Sequence, residues 1–156
     1  ISMNYSEVYD DLKKWILDFL SINNSDFNDL PPCPYACEVI IEGKLGIQLE
    51  KYPGAEAEQL LQDAEVIAYV HDPDSVTPDD LANHAQLFNE QYPNLLALED
   101  HPAEPEIIGN TCVNQGKYAM LLVQSRHKIE RARAPLEKLG YYKNWDNNYK
   151  KDVINR

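Results

Sequence analysis

Between Tyr52 and Gly116 the sequence has no lysine and no arginine, although 13 acids fall there. Cysteine is also scarce, with three in 156 residues. So sparse and odd a set argues against a disulfide scaffold and fits free thiols in a reducing cytoplasm. No apolar run reaches the roughly 18 residues needed to span a bilayer, so no membrane partner is expected. Ile1-Ser2-Met3 lacks a basic flank and an apolar signal region. Its first two residues read as a tag remnant ahead of a native Met3. The formal net charge of −12 argues against non-specific nucleic-acid binding. The Gly-Lys-Ser/Thr ending of a phosphate loop is missing as well.

What is present points to a packed domain. Hydrophobic residues make up 44% of the chain, enough for a real core at this length. Residues 3–145 read as a single domain, and 146–156 as a polar, loosely held tail. The missing cations gather late: residues 117–156 carry ten basic and four acidic groups. Either the acidic middle and the basic end attract each other within one fold, or the basic part meets an anionic ligand or acidic partner.

Periodicity gives the elements. Val8, Leu12, Trp15, Ile16 and Phe19 predict a helix over 6–20, with Ser6 as cap. Residues 38–42 and 45–50 read as two short strands around Gly43-Lys44, a hairpin. Residues 55–63 suggest a short helix, and AEVIAYVHD (64–72) is the clearest strand. Thr77-Pro78-Asp79-Asp80 marks a strong helix start. Leu81, Ala85, Phe88 and Tyr92 form that helix's buried stripe. NLLALED (94–100) and KYAMLLVQ (117–124) read as strands. Ser125 caps a last helix with Ile129, Ala132, Leu136 and Leu139 on one face. Gly140 closes it, and Tyr141-Tyr142 could open a final strand.

From residue 64 the order is strand, helix, strand, strand, helix, possible strand. That is the split βαβ plan of ferredoxin-like folds. The expected class is α+β: a ferredoxin-like sandwich with an added N-terminal helix and β-hairpin, its helices on one face of a largely antiparallel sheet. In that plan the strand at 117–124 lies antiparallel between the other two. The ends of strands 64–71 and 94–100 then share one edge, which brings His71, His101 and the loop 107–116 together. Arg126 falls at the opposite edge.

Several residues could carry chemistry there. Cys33 sits between Pro32 and Pro34, which stiffen its backbone as a nucleophile or ligand would need. The alternative is a buried structural thiol. Cys37 is four residues on, roughly 13 Å away in an extended chain, so no metal site is assigned. His101 and His71 stand beside acids that could orient a general base, or they are merely capped strand ends. His84 and His127 look like helix-surface residues. Asn110, Thr111, Asn114 and Lys117, with the backbone amides of 107–118, could cradle an anion. On the last helix Arg126, Glu130 and Arg133 recur at helical spacing. They read as a self-pairing solvent face or as an anion clamp.

The same residues resemble a bacterial family, the fourteen-fifteen domain of unknown function. The motifs are Leu30-Pro31-Pro32-Cys33-Pro34-Tyr35-Ala36, His71-Asp72-Pro73, His101-Pro102, Asn110-Thr111, and Arg126 with Ile129-Glu130-Arg131-Ala132. Order and rough spacing agree over residues 8–135. PAEPEIIG after His101 departs from the aromatic-rich stretch of the family, which puts any shared pocket there in doubt. The resemblance implies Cys33, His101, Arg126 and Glu130 as site residues and supplies no reaction.

Two function classes follow. One is a small cytoplasmic enzyme acting on a small anionic substrate. Cys33 and His101 would be catalytic, and Asn110, Lys117, Arg126 and Glu130 would bind the ligand. The other is a non-catalytic interaction or self-associating protein; a metal- or haem-binding module is a third option. The cofactor is left unassigned.

Overall fold

A computed structural model describes residues 3–156; the tag remnant expected at residues 1 and 2 lies outside them. The first helix, α1 (Tyr5–Trp15), begins one residue earlier than its apolar spacing suggested. Asn4, not Ser6, caps it by accepting the Glu7 N–H at 3.1 Å. It runs on through a π-helical turn, Ile16–Leu20, and a 3₁₀ turn follows at Ser25–Phe27.

Next comes α2 (Ala36–Ile41), and here the expected hairpin is wrong. Val39, Ile40 and Ile41 favour strand locally. Yet Ala36 is buried and donates to the Cys33 carbonyl at 3.1 Å, while α2 packs on the π-helical turn. Tertiary contact overrides the propensity. Only β1 (Leu45–Leu49) is a strand, and it pairs parallel to β2 (Val66–His71) across the short helix α3 (Glu56–Leu60).

The rest of the core follows the chain order read from the sequence. Helix α4 (Pro78–Gln91) starts at a full capping box between Thr77 and Asp80. Then come β3 (Leu95–Asp100), a two-residue hairpin of β4 (Ile107–Ile108) and β5 (Thr111–Cys112), and β6 (Ala119–Ser125). Helices α5 (Arg126–Lys138) and α6 (Asn147–Ile154) complete the chain. The main sheet has the order β1-β2-β6-β3, with β6 antiparallel to both neighbours. The chain is an α+β protein. The edge place beside β2 is held by β1, while Tyr141-Tyr142 forms a turn with Tyr141 buried.

Helices cover both faces of the sheet, not one. On one face Ile67, Tyr69, Ala97, Leu121 and Val123 pack with Leu81, Ala85 and Phe88 of α4. On the other, Ala68, Val70, Met120 and Ile47 pack with Val8 and Leu12 of α1. The cause is in the strands themselves. Ile67 to Val70 and Ala119 to Leu121 are each at most 1% exposed, so neither side of the inner strands could face water. A third cluster stands apart: Phe27, Ile108, Leu136 and Tyr141, with Trp145 and Tyr149 against it. It draws in the residues expected to form a loose tail. They form α6, capped by Asp146 and tied down by Tyr149 and Arg156.

Candidate functional site

The strand-end edge does gather polar groups. Asp100 ends β3 and is 7% exposed, His101 follows at 6%, and the loop to β6 wraps around both. Asn114 is the hub. Its Nδ2 donates to Asp100 Oδ1 at 2.9 Å and to the carbonyls of His101 and Glu104 at 3.0 and 3.3 Å. Its Oδ1 accepts the Glu106 N–H at 2.6 Å. Asp100 Oδ2 takes the Gln115 N–H at 3.2 Å. Burial pushes the Asp100 carboxyl upward in pKa. The Gln115 and Asn114 donors pull it partly back.

His101 has no ring nitrogen to spare. Nε2 reaches the Val76 carbonyl at 2.8 Å, an acceptor only, so Nε2 carries the proton. Nδ1 accepts the Ala103 N–H at 3.0 Å. The ring bridges the end of β3 to the turn before α4. His71 is bound similarly, its Nε2 on the Lys51 carbonyl at 3.1 Å. Tyr52 lies between His71 and His84, 4.7 Å from the first ring and stacked at 3.5 Å on the second. His84 is exposed on α4, as its place on the helix suggested, and stacks on Tyr52. Burial pushes the His71 pKa down and favours its neutral form.

Cys33 belongs to another neighbourhood. Its N–H donates to the Leu20 carbonyl at 2.9 Å, and Pro32 before it accepts from the hydroxyl of buried Tyr141. Burial pushes its thiol pKa up, against the backbone N–H groups of Tyr35 and Ala36, which favour the thiolate. Among the described residues no hydrogen bond links Cys33 to His101. All three cysteines are free.

The remaining candidates are engaged within the fold. The loop expected to cradle an anion holds one from its own chain. Asp26 Oδ2 accepts the Asn110 N–H at 3.1 Å and the Thr111 hydroxyl at 2.6 Å. Gly109, at φ +61°, leaves the room this requires, since a Cβ there would stand 2.3 Å from Asp26 Oδ1. Lys117 pairs with Asp11 at 2.8 Å and Glu7 at 3.4 Å. A cleft of about 320 Å³ opens beside it, but Glu7 and Asp72 line that cleft too and would repel an anion. Arg126 lies at the opposite edge, as the topology required. Its Nε donates to the Pro93 carbonyl at 2.9 Å, fixing the turn between α4 and β3. Glu130 is exposed on α5. The expected pairing of that helix face does not form among the described residues. Arg133 instead donates to the carbonyls of Ile154 and Val153 at the end of α6, where a cation is favoured.

Sequence reading missed Glu106 and its neighbours. Tyr149 donates to Glu106 Oε2 at 3.0 Å, and Arg156 grips Glu99 with both ends of its guanidinium. Desolvation, with Asp100 and Glu99 nearby, pushes the Glu106 pKa up to about 7. Only the alternation along β3, which sends Asp100 to a buried position, hinted at this cluster. Its partners are some fifty residues further along the chain.

Among the described residues no group of three or more His, Cys, Asp or Glu could hold a metal ion, and no helix is long and apolar enough to cross a membrane. Comparison with protein-family models, curated proteins and solved structures gives no match, so the site stands on its geometry alone.

Proposed function

We propose that the protein is a non-catalytic interaction module that self-associates in the cytoplasm. One observation carries this: the side chains suited to chemistry are committed to holding the fold. Cys33 is a thiol whose burial opposes ionisation, and His101 uses both ring nitrogens on backbone groups. Lys117 is neutralised by two acids, and Asp26 fills the anion cradle. The basic last quarter also meets acids inside the fold, Lys128 on Glu65 and Arg156 on Glu99. Three free thiols suit a reducing compartment. Kinship with the fourteen-fifteen domain family is proposed as well, on the order of the Cys33, His101 and Arg126 motifs.

Alkylation at pH 7 separates this reading from the enzyme. Iodoacetamide should label exposed Cys112 first and half-buried Cys33 about tenfold more slowly, because desolvation there disfavours the thiolate. If Cys33 reacts faster than Cys112 and His101→Ala slows it, the Cys33–His101 enzyme with a small anionic substrate is the better description.

A further inference from the structure

The two edges of the main sheet are treated differently. On β3, the outward N–H and C=O of Ala97 are both taken by the Asn89 side chain, at 2.7 and 3.1 Å. The outward N–H of Leu95 is bound by the Tyr92 carbonyl at 3.0 Å. That edge is closed near its start. On β1, the bonds Val66 N–H to Lys44 O and Glu50 N–H to Val70 O fix the phase of the ladder to β2. Gly46 and Gln48 therefore face β2, while Leu45, Ile47 and Leu49 turn their N–H and C=O groups outward. Among the described residues no hydrogen bond reaches those six groups. The usual protections of an open edge are missing too, since Leu45–Leu49 has no charge, no proline and no bulge. Ile41, just ahead of the strand, is 74% exposed.

The segment Lys44-Leu45-Gly46-Ile47-Gln48-Leu49-Glu50 is complementary to itself when reversed about Ile47. Leu45 meets Leu49 of a second copy and Ile47 meets Ile47, while Lys44 comes beside Glu50, which at φ +58° bends off the end of the strand. Leu45, Ile47 and Leu49 all point outward, so every pair they make is of the hydrogen-bonded type, and two strands exchange six bonds. Their side chains lie on the α1 face, which continues that apolar layer from one copy into the next. Lys44 and Glu50 have no ion pair among the described residues. Both are free to pair across the two-fold axis.

We infer, resting on the self-association proposed above, that β1 joins two copies of the chain edge to edge and antiparallel, in the register centred on Ile47 that brings Lys44 near Glu50 at each end. The two four-stranded sheets become one. The partner is a second copy because the strand carries its own complement, and an isologous contact closes at the dimer.

Sedimentation equilibrium at low salt tests it. The wild-type chain should show a monomer–dimer equilibrium. Lys44→Glu and Glu50→Lys, each alone, bring like charges near each other at both ends of the contact and should raise Kd about tenfold or more. The K44E/E50K double variant should restore the dimer. An equimolar mixture of the two single variants should dimerise where neither does alone. Leu45→Pro removes an outward N–H without touching the ladder to β2, and should weaken the dimer while circular dichroism stays unchanged. A dimer indifferent to all these changes overturns the β1 contact and leaves self-association standing. A monomer at every concentration up to about 500 µM overturns both.

Discussion

Glu106 shows how one carboxyl can be moved by where the chain buries it. Its pKa rises to about 7 because desolvation and the neighbouring acids penalise its charged form. The raised folded-state value means that its contribution to stability is fully present below about pH 4.5. It is lost as pH climbs through about 7. Glu106→Gln, which stays neutral, should therefore gain on the wild type between those pH values, by at most about 3 kcal/mol. Urea denaturation at pH 4.5 and pH 8 measures the difference; an equal effect at both would mean that Glu106 is ionised with ease. The residue was invisible in the sequence because a glutamate in PAEPEIIG reads as an exposed loop acid. Its partner is Tyr149, which no local pattern connects to it. Cys33 was visible, through its prolines, but only as a position: the desolvation that makes its thiol resist ionisation is set by the fold around it.

Elements with local signals were legible. Thr77-Pro78-Asp79-Asp80 states a helix start within four residues, and α4 begins there. The apolar runs of β2, β3 and β6 mark three of the four strands of the main sheet and their order along it. Residues 38–42 misled because a β-branched run can be bent into a helical turn when tertiary contact rewards it, while the strand read at 45–50 is β1. The two-faced burial of the sheet was written in IAYV and AMLL but read as one-faced, since the split βαβ plan was imposed on them. The edge of β3 depends on a side chain from the helix above it. Asn89→Ala should free Ala97's outward groups, make its amide exchange about tenfold faster in hydrogen-exchange measurements, and cost about 1–2 kcal/mol. Unchanged protection at Ala97 would show that the Asn89 amide does not close the edge.

At the scale of the molecule, three cations of the basic end meet acids within the fold. Lys117, Lys128 and Arg156 from the basic end reach acids in α1, before β2 and in β3. The sequence offered this reading beside the ligand one, and charge alone could not choose. The third apolar cluster was not foreseen, because its members come from residues 27, 108, 136 and 141. Phe27 is 1% exposed there and packs edge-on to Trp145 at 6.4 Å. Phe27→Ala should cost about 3–5 kcal/mol in denaturant unfolding. A loss below about 1 kcal/mol would mean that the cluster is peripheral to stability.

That cluster also orders events in time. The segment around Phe27 leaves the ribosome more than a hundred residues before Tyr141 and Trp145, the rings that will shelter it. The sheet can zip once β6 has emerged, yet Phe27 must wait for the end of α5 and the turn beyond it. A nascent chain stalled after residue 125 would therefore hold a finished sheet and an aromatic ring only partly covered, by Ile108 and its neighbours, and would be an early client for a chaperone.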